Sequence, residues 1–159
     1  MEVTLRGYSS EDFETLYEID QTCYPSGIAY SRRTLRWFLR QAESECRVAL
    51  VGSEIGGFLI AALLPDDDET GHIITLDVLE RFRRAGMGSA LVKDAEGRLA
   101  GRGAHTITLE TAVNNEAGVA FWKHHGYRTV GIARGYYLGR IDAFAMVKNL
   151  VTRRSSALS

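Results

Sequence analysis

The spacing of apolar residues along the chain predicts a protein in which strands and helices are mixed. Short apolar or alternating runs predict strands, and apolar residues recurring every three to four positions predict helices. The predicted order is strand, two helices, three strands, helix, strand, helix and two strands. The strands are expected at residues 3–7, 46–52, 55–64, 72–78, 106–111, 127–133 and 143–147, and the helices end near residues 20, 42, 100 and 125. This order indicates a mixed α/β domain whose parallel strands flank the third helix.

Polar segments and candidate capping residues separate these predicted elements. Ser31 is expected to cap the second helix, after a loop that contains Pro25 and Gly27. The pair 53–54 is expected to form a hairpin turn. The run 65–69, Pro-Asp-Asp-Asp-Glu, does not have the spacing of a calcium-binding loop, and we expect a solvated acidic loop there.

Length and composition limit the class of protein. The chain has 159 residues and a net charge of −1. We expect one domain over 1–151 and a flexible tail at 152–159, with neither nucleic acid nor a membrane surface as partner. Cys23 and Cys46 lack the spacing of a thiolate metal site, so no metal is expected. No signal-peptide pattern is visible, and we expect a cytoplasmic protein.

A glycine-containing turn at 83–89, Arg-Arg-Ala-Gly-Met-Gly-Ser, joins a predicted strand to the third helix. Glycine allows the backbone to turn and to approach a ligand closely. The N–H groups at a helix start attract anions, so a pyrophosphate fits this turn. The turn has no Gly-Lys-Ser/Thr ending, and the third glycine of a dinucleotide-binding fingerprint would fall at Leu91.

The same turn resembles the GNAT acetyltransferases. Arg83-x-x-Gly86-x-Gly88 matches their R/Q-x-x-G-x-G/A signature. The resemblance extends over roughly residues 70–148. It includes the family's splayed central strand at Thr75-Leu76-Asp77-Val78, the next strand at Leu109-Glu110, and the following helix from Asn115 to Phe121-Trp122 and Gly126-Tyr127. This resemblance implies a single-domain GNAT fold, a mixed sheet of about seven strands flanked by about four helices.

Within the GNAT superfamily, the chain is most similar to the ribosomal-protein-alanine and related protein N-terminal acetyltransferases. This narrower similarity is carried by Glu110, Asn115, Tyr136-Tyr137 and Ile141-Asp142-Ala143. By this resemblance, acetyl-CoA is the cosubstrate. The resemblance implies that the following residues bind it: Leu76, Asp77, Val78, Arg83, Arg84, Ala85, Gly86, Met87, Gly88, Ser89 and Asn115. The residues expected at the substrate are Tyr24, Tyr30, Tyr136 and Tyr137.

Glu110 is the candidate catalytic base. On its strand it lies on the face opposite Ile107 and Leu109. A carboxylate there can take a proton from an attacking ammonium, directly or through water. That step is needed because an amine with a pKa of about 8 to 10 is mostly protonated at neutral pH. Asp77 is the competing carboxylate.

One position departs from the family pattern. The family's general-acid tyrosine, twelve residues after the glutamate, falls on Trp122, and an indole cannot serve as a useful acid. Tyr127, Tyr136 and Tyr137 are substitute candidates. Alternatively the thiolate leaves unaided, since a thiol pKa near 8.5 allows this. An acyl-enzyme on Cys23 is less favoured because no partnering base is evident. The four histidines, His72, His105, His124 and His125, are expected to be structural or solvated.

The sequence therefore predicts an N-acetyltransferase that moves the acetyl group of acetyl-CoA to a primary amine by direct attack in a ternary complex. Glu110 removes a proton, and a backbone N–H of the splayed strand polarises the carbonyl. The expected acceptor is a protein or peptide N-terminus. The alternatives are a small-molecule amine acetyltransferase and a non-catalytic acyl-CoA-binding module, which would bind CoA without turnover.

Overall fold

The structure is a computed structural model that describes residues 2–150, so the predicted tail at 152–159 lies outside the described residues. One seven-stranded sheet has the strand order β1-β2-β3-β4-β5-β7-β6. The strands are β1 Val3–Gly7, β2 Ser44–Val51, β3 Glu54–Leu64, β4 Asp67–Val78, β5 Thr106–Ala112, β6 Arg128–Tyr137 and β7 Ile141–Asn149. The helices are α1 Phe13–Cys23, α2 Arg32–Arg40, α3 Met87–Gly101 and α4 Glu116–His124, with 3-10 turns at Ser10–Asp12 and Glu80–Ala85. The predicted order of elements and the α/β class are confirmed.

The predicted parallel neighbours are β4 and β5, on either side of α3 in sequence. Their register joins Thr70 to Thr106 and His72 to Thr108. Four other pairs of strands are antiparallel: β1 with β2, β2 with β3, β5 with β7, and β6 with β7. The parallel pair follows from the helical crossover, because a short hairpin can join only antiparallel strands.

Short polar side chains cap two of the helices, including the predicted cap at Ser31. The Ser31 hydroxyl accepts a hydrogen bond from the Thr34 N–H at 3.1 Å and begins α2. The Asn115 side chain accepts from the Gly118 N–H at 3.0 Å and begins α4. Gly126, with φ of 90°, follows α4 in the left-handed conformation that glycine adopts readily.

The prediction of an acidic loop over residues 65–69 is wrong, because the loop is shorter. Only Pro65 and Asp66 form the turn, and β4 already begins at Asp67. A two-residue turn is enough to join neighbouring antiparallel strands. The Asp67 carboxylate accepts from the Glu69 N–H at 3.1 Å and from the Thr70 hydroxyl at 2.6 Å. The charged run is therefore the exposed start of a strand.

Contacts within the chain group the residues into two compact units. Among the described residues, the first comprises 2–62 together with Ile73–Ala95, and the second comprises Leu63–His72 and 96–150. The first unit has a core of Phe13, Leu16, Ile19, Leu35, Val48, Phe58 and Ile60. In the second unit the large buried side chains include Leu99, Ile107, Leu109, Trp122, Tyr127 and Met146. Among residues 2–150, no helix has the length and apolar character needed to cross a membrane.

Candidate active site

The glycine turn brings a helix N-terminus and two arginines together. Gly86 has φ of 79° and stands directly before Met87, the first residue of α3. A Cβ built on Gly86 would meet no atom within 4 Å, so the turn presents open space on that side. The first N–H groups of a helix have no carbonyl partner within it and carry the positive end of its dipole. With Arg83 and Arg84 exposed beside them, the turn suits an anion such as a pyrophosphate.

The C-terminal half of β4 is contacted by the loop between α1 and α2. The Tyr24 hydroxyl donates to the Leu76 carbonyl at 2.7 Å, and the Tyr30 hydroxyl donates to the Ile74 carbonyl at 3.4 Å. Two tyrosines predicted at the substrate therefore contact the strand whose residues Leu76 to Val78 are expected to bind acetyl-CoA. Each carbonyl oxygen has two lone pairs, so Leu76 can accept a second hydrogen bond.

The Asp77 side chain is enclosed within the first unit. It has no exposed surface, and its Oδ1 accepts from the Thr75 hydroxyl at 2.6 Å. Burial and the neighbouring carboxyl of Asp20 raise the pKa of Asp77 well above its usual range. A carboxyl group that is sealed from solvent cannot meet a substrate amine. This geometry argues against Asp77 as the base and leaves its backbone for cofactor contact.

Glu110 lies on β5 with two hydrogen-bond partners on one oxygen. Oε1 is 3.2 Å from Nε2 of His72 and accepts from the Tyr136 hydroxyl at 3.1 Å. The pKa of Glu110 is lowered, chiefly by the hydrogen bond from His72, although partial burial opposes the shift. Its side chain is 22% exposed. Glu110 is therefore an ionised carboxylate that remains within reach of solvent.

His72 is fixed by the register of the parallel strands. It pairs with Thr108, and Glu110 lies two residues further along the same face of β5. Its Nδ1 is 2.7 Å from the Thr108 hydroxyl. Because Nε2 faces a carboxylate, that nitrogen carries the hydrogen, and Nδ1 can accept from the hydroxyl. Sequence reasoning missed His72, since only this strand register brings it to Glu110.

The three tyrosines considered as substitute acids differ in environment. Tyr127 is buried, and its hydroxyl donates to Glu96 at 2.8 Å, which removes it from consideration as an acid. Tyr136 is half exposed and stacks edge-on against Tyr137 with ring centroids 4.9 Å apart. Burial raises the pKa of Tyr137 to about 12, and burial together with Glu110 raises the pKa of Tyr136. Both hydroxyls hold their protons tightly, so they suit substrate contact better than acid catalysis.

Trp122 is part of the core of the second unit. It is 7% exposed, and its ring lies edge-on to Tyr127 at 5.2 Å and to Phe121 at 5.1 Å. These contacts account for an indole at this position by packing alone.

The Cys23 side chain is partly buried and hydrogen-bonded. The Cys23 thiol donates to the Val78 carbonyl at 3.4 Å, and burial raises its pKa to about 11. It is therefore protonated at neutral pH, which argues against an acyl-enzyme on Cys23.

Asn115 uses its side-chain oxygen to cap α4, which fixes the direction of its amide group. Within residues 2–150, no group of three or more His, Cys, Asp or Glu side chains could hold a metal ion.

The sequence of the chain matches one known family. Residues 13–127 fit the model of the family described as "Acetyltransferase (GNAT) family". The chain belongs to the GNAT acetyltransferases. Acetyl-CoA is the donor that GNAT enzymes bind.

Several relatives of this GNAT chain have names that state a reaction. It is 26% identical to the N-alpha-acetyltransferase of Sulfurisphaera tokodaii, with 94% of each chain covered. It is 28% identical to N-alpha-acetyltransferase 30 of Schizosaccharomyces pombe over 91% of this chain and 97% of the relative. Its fold matches the crystal structure of Ard1 from Thermoplasma volcanium with a TM-score of 0.87 at 24% identity, covering 96% of this chain and all of that one.

Proposed function

We propose that this GNAT enzyme transfers the acetyl group of acetyl-CoA to the α-amino group of a protein or peptide N-terminus, by direct attack in a ternary complex. The observation that carries the proposal is the ionised Glu110 carboxylate, held by His72 and Tyr136. The names of the archaeal and fungal relatives, which align over more than nine-tenths of this chain, support the choice of acceptor.

The residues around the glycine turn and on β4 would hold the donor. Acetyl-CoA supplies an acetyl group activated as a thioester. The N–H groups at the start of α3, with the positive charge of Arg84, would bind the pyrophosphate. Backbone groups of Leu76 and Val78 would pair with the pantetheine arm, and Asn115 would bind near its reactive end. A backbone N–H of β4 would polarise the thioester carbonyl.

Glu110 and His72 would handle the proton. An α-amino group has a pKa of about 8 and is largely protonated at neutral pH. Glu110 accepts one proton from the ammonium, directly or through a water, and the hydrogen bond from His72 stabilises the carboxylate before the transfer. The freed amine then attacks the carbonyl carbon. The C–N bond forms, the C–S bond breaks with its electron pair on sulfur, and the second amine proton passes to solvent.

Tyr24, Tyr30, Tyr136 and Tyr137 would contact the incoming peptide. Tyr136 already donates to Glu110, so a peptide near it would lie beside the base. Aromatic rings bind a peptide backbone and side chain with little loss of conformational freedom. The thiolate leaves without an acid, since a thiol with a pKa near 8.5 is a good leaving group.

Acetylation of three matched acceptors tests the proposal. The first is a peptide with a free N-terminus and no lysine. The second is the same peptide with a blocked N-terminus and one lysine, and the third is a set of small primary amines. Mass spectrometry is expected to place the acetyl group on the free α-amine of the first. Turnover of small amines alone would indicate the small-molecule enzyme, and acetyl-CoA binding without turnover of any acceptor would indicate a non-catalytic module.

A further inference from the structure

In the first unit, two buried carboxyl groups have fewer hydrogen-bond donors than they have oxygen atoms. Asp20, on α1, is 1% exposed, and Asp77, on β4, is fully buried. Oδ2 of Asp20 accepts from the Tyr30 N–H at 2.7 Å, and Oδ1 of Asp77 accepts from the Thr75 hydroxyl at 2.6 Å. The other oxygen of each group is buried and has no donor in the part of the chain that the structure describes.

This arrangement is unfavourable if both groups are ionised. A buried acceptor without a donor destabilises the folded state, and more so when it is charged. Two like charges at one site also repel, which favours keeping one proton on the pair. Burial and Asp20 both raise the pKa of Asp77, which is the direction that a retained proton requires.

We propose that Asp20 and Asp77 share one proton as an acid–carboxylate pair, and that this pair fastens the loop 24–30 onto β4. The shared proton supplies the missing donor to both orphaned oxygens at once. An O–H donating to a carboxylate is among the stronger hydrogen bonds in proteins. The two residues are therefore positioning residues for the tyrosines of the loop.

The loop is held from both sides of the pair. While Asp20 accepts from the Tyr30 N–H, the neighbouring Gln21 amide donates to the Tyr30 carbonyl at 2.7 Å. At the other end, the Tyr24 hydroxyl donates to the Leu76 carbonyl, one residue before Asp77. The positioning of substrate by these tyrosines rests on the proposed function, whereas the fastening of the loop does not.

Among the described residues, three titratable groups that interact with Asp77 are neutral around physiological pH. Burial raises the pKa of Cys23 to about 11 and that of Cys46, on β2, to about 12. Burial also raises the pKa of Tyr24 well above its usual value. Arg83 lies beside Cys23 and donates its Nε–H to the Val78 carbonyl. The thiols and the phenol therefore do not replace the proton with a charge of their own.

Opening of the loop should depend on pH in a defined way. In the open state the pair meets water, in which an aspartic acid side chain has a pKa of about 3.9, and the shared proton is released. In the closed state the pKa of Asp77 is raised. The stabilisation of the closed state is therefore complete below the usual pKa and is lost as the pH rises through the raised pKa. Between these limits the opening constant rises about tenfold per pH unit, because one proton is released.

Hydrogen exchange of the Tyr30 N–H, measured by NMR and corrected for the intrinsic rate, tests this dependence in the free protein. In the wild type the opening constant is expected to rise about tenfold per pH unit. In Asp77→Asn and in Asp20→Asn, the amide replaces the shared proton as donor, so the opening constant should not change with pH. Infrared spectroscopy at neutral pH should show a protonated carboxyl band in the wild type that is missing from both variants.

Asp12→Asn is the matched control. Asp12 is also buried, but it is paired with Arg6 at 2.7 Å and the pKa of this carboxyl is lowered. This variant should keep both the pH dependence and the infrared band. A wild type with pH-independent Tyr30 exchange and no protonated carboxyl band at neutral pH would overturn the proposal, even if neither Asn variant folds. Neither measurement needs acetyl-CoA or peptide, so a failed transferase assay leaves this result intact.

Discussion

Nε2 of His72 lies 3.2 Å from Oε1 of Glu110, and this contact places a second proton-carrying group beside the candidate base. A carboxylate whose pKa is held low is ionised at neutral pH but is a weak base by itself. Histidine is the side chain best suited to exchange protons near neutral pH. The pair therefore combines a carboxylate that is ionised at neutral pH with a histidine whose hydrogen bond favours that ionised state.

Replacing Glu110 by Gln should lower kcat by about 10²- to 10³-fold, the scale of a lost general base, with little change in acetyl-CoA affinity. The loss should shrink as pH rises, because more of the amine is then already deprotonated. Steady-state kinetics across pH measure both effects. Glu69→Gln is the matched control, since Glu69 is an exposed carboxylate on the same strand as His72. A pH–rate profile that Glu110→Gln leaves unchanged would remove Glu110 from the reaction.

Replacing His72 by Phe should move the acidic limb of the pH profile of kcat/KM to higher pH. The hydrogen bond from His72 is the largest cause of the lowered pKa of Glu110, so its loss raises that pKa. The lowered pKa of Glu110 also makes the stability of the folded protein depend on pH. A lowered pKa in the folded state stabilises the protein above the usual glutamate pKa, and the gain is lost as pH falls through the lowered value. The variant should lose this dependence.

His105→Phe is the control for the histidine experiment. His105 is exposed and precedes β5, and its backbone N–H bonds to the Glu69 carbonyl. This substitution keeps that backbone bond and should leave the profile in place. If His72→Phe also leaves the acidic limb unmoved, the 3.2 Å contact does not set the ionisation of Glu110.

The comparison of His72 with Glu110 shows where sequence reasoning reaches its limit. Glu110 could be placed on the polar face of its strand because alternation with Ile107 and Leu109 is a local pattern. The partnership with His72 depends on which residue of β4 stands opposite Thr108, and a parallel register is not encoded within either strand. Local patterns predicted the elements, whereas long-range pairing had to come from the structure.

The acidic run at the start of β4 shows a second limit. Composition indicated a loop over five residues, but the chain reverses within Pro65 and Asp66. Charged residues such as Asp67 are tolerated at the exposed end of a strand, where they bond to nearby donors. The pairing of Asp20 with Asp77 could not be predicted from the sequence either, because an aspartate in a helix or a strand is usually on the surface.

Replacing Gly86 by Val should abolish the thermal stabilisation by acetyl-CoA. Saturation at about one hundred times Kd is expected to stabilise the wild type by about 2.7 kcal/mol, measured as a rise in Tm. Valine at φ of 79° is strained, at a cost of roughly 1–3 kcal/mol, and would also shift the N–H groups at the start of α3. NAD and ATP serve as ligands that should give no shift.

Gly52→Val separates strain from ligand binding. Gly52 lies in the turn between β2 and β3 with φ of 63°, and a Cβ there would also meet nothing within 4 Å. The two variants should therefore lose similar stability, while only the change at Gly86 removes the acetyl-CoA shift. Equal acetyl-CoA shifts in both variants would mean that the turn before α3 is structural only.

Replacing Trp122 by Phe should cost stability but leave the chemistry nearly unchanged. The indole is buried against Phe121 and Tyr127, so a smaller ring leaves unfilled volume. The loss should be about 1–2 kcal/mol, below the 3–5 kcal/mol typical of truncating an aromatic residue to Ala. For a chain of this length that lowers Tm by about 2–4 °C per kcal/mol.

The kinetic half of the Trp122 experiment decides how the thiolate leaves. If it departs unprotonated, kcat of Trp122→Phe should stay within about threefold of the wild type, since no proton donor has been lost. Trp122→Tyr places a hydroxyl where the family has one, and it should raise kcat only if protonation of the leaving group limits the rate. A loss above tenfold in Trp122→Phe at unchanged acetyl-CoA affinity would contradict unaided departure, because the indole N–H would then stabilise the leaving sulfur.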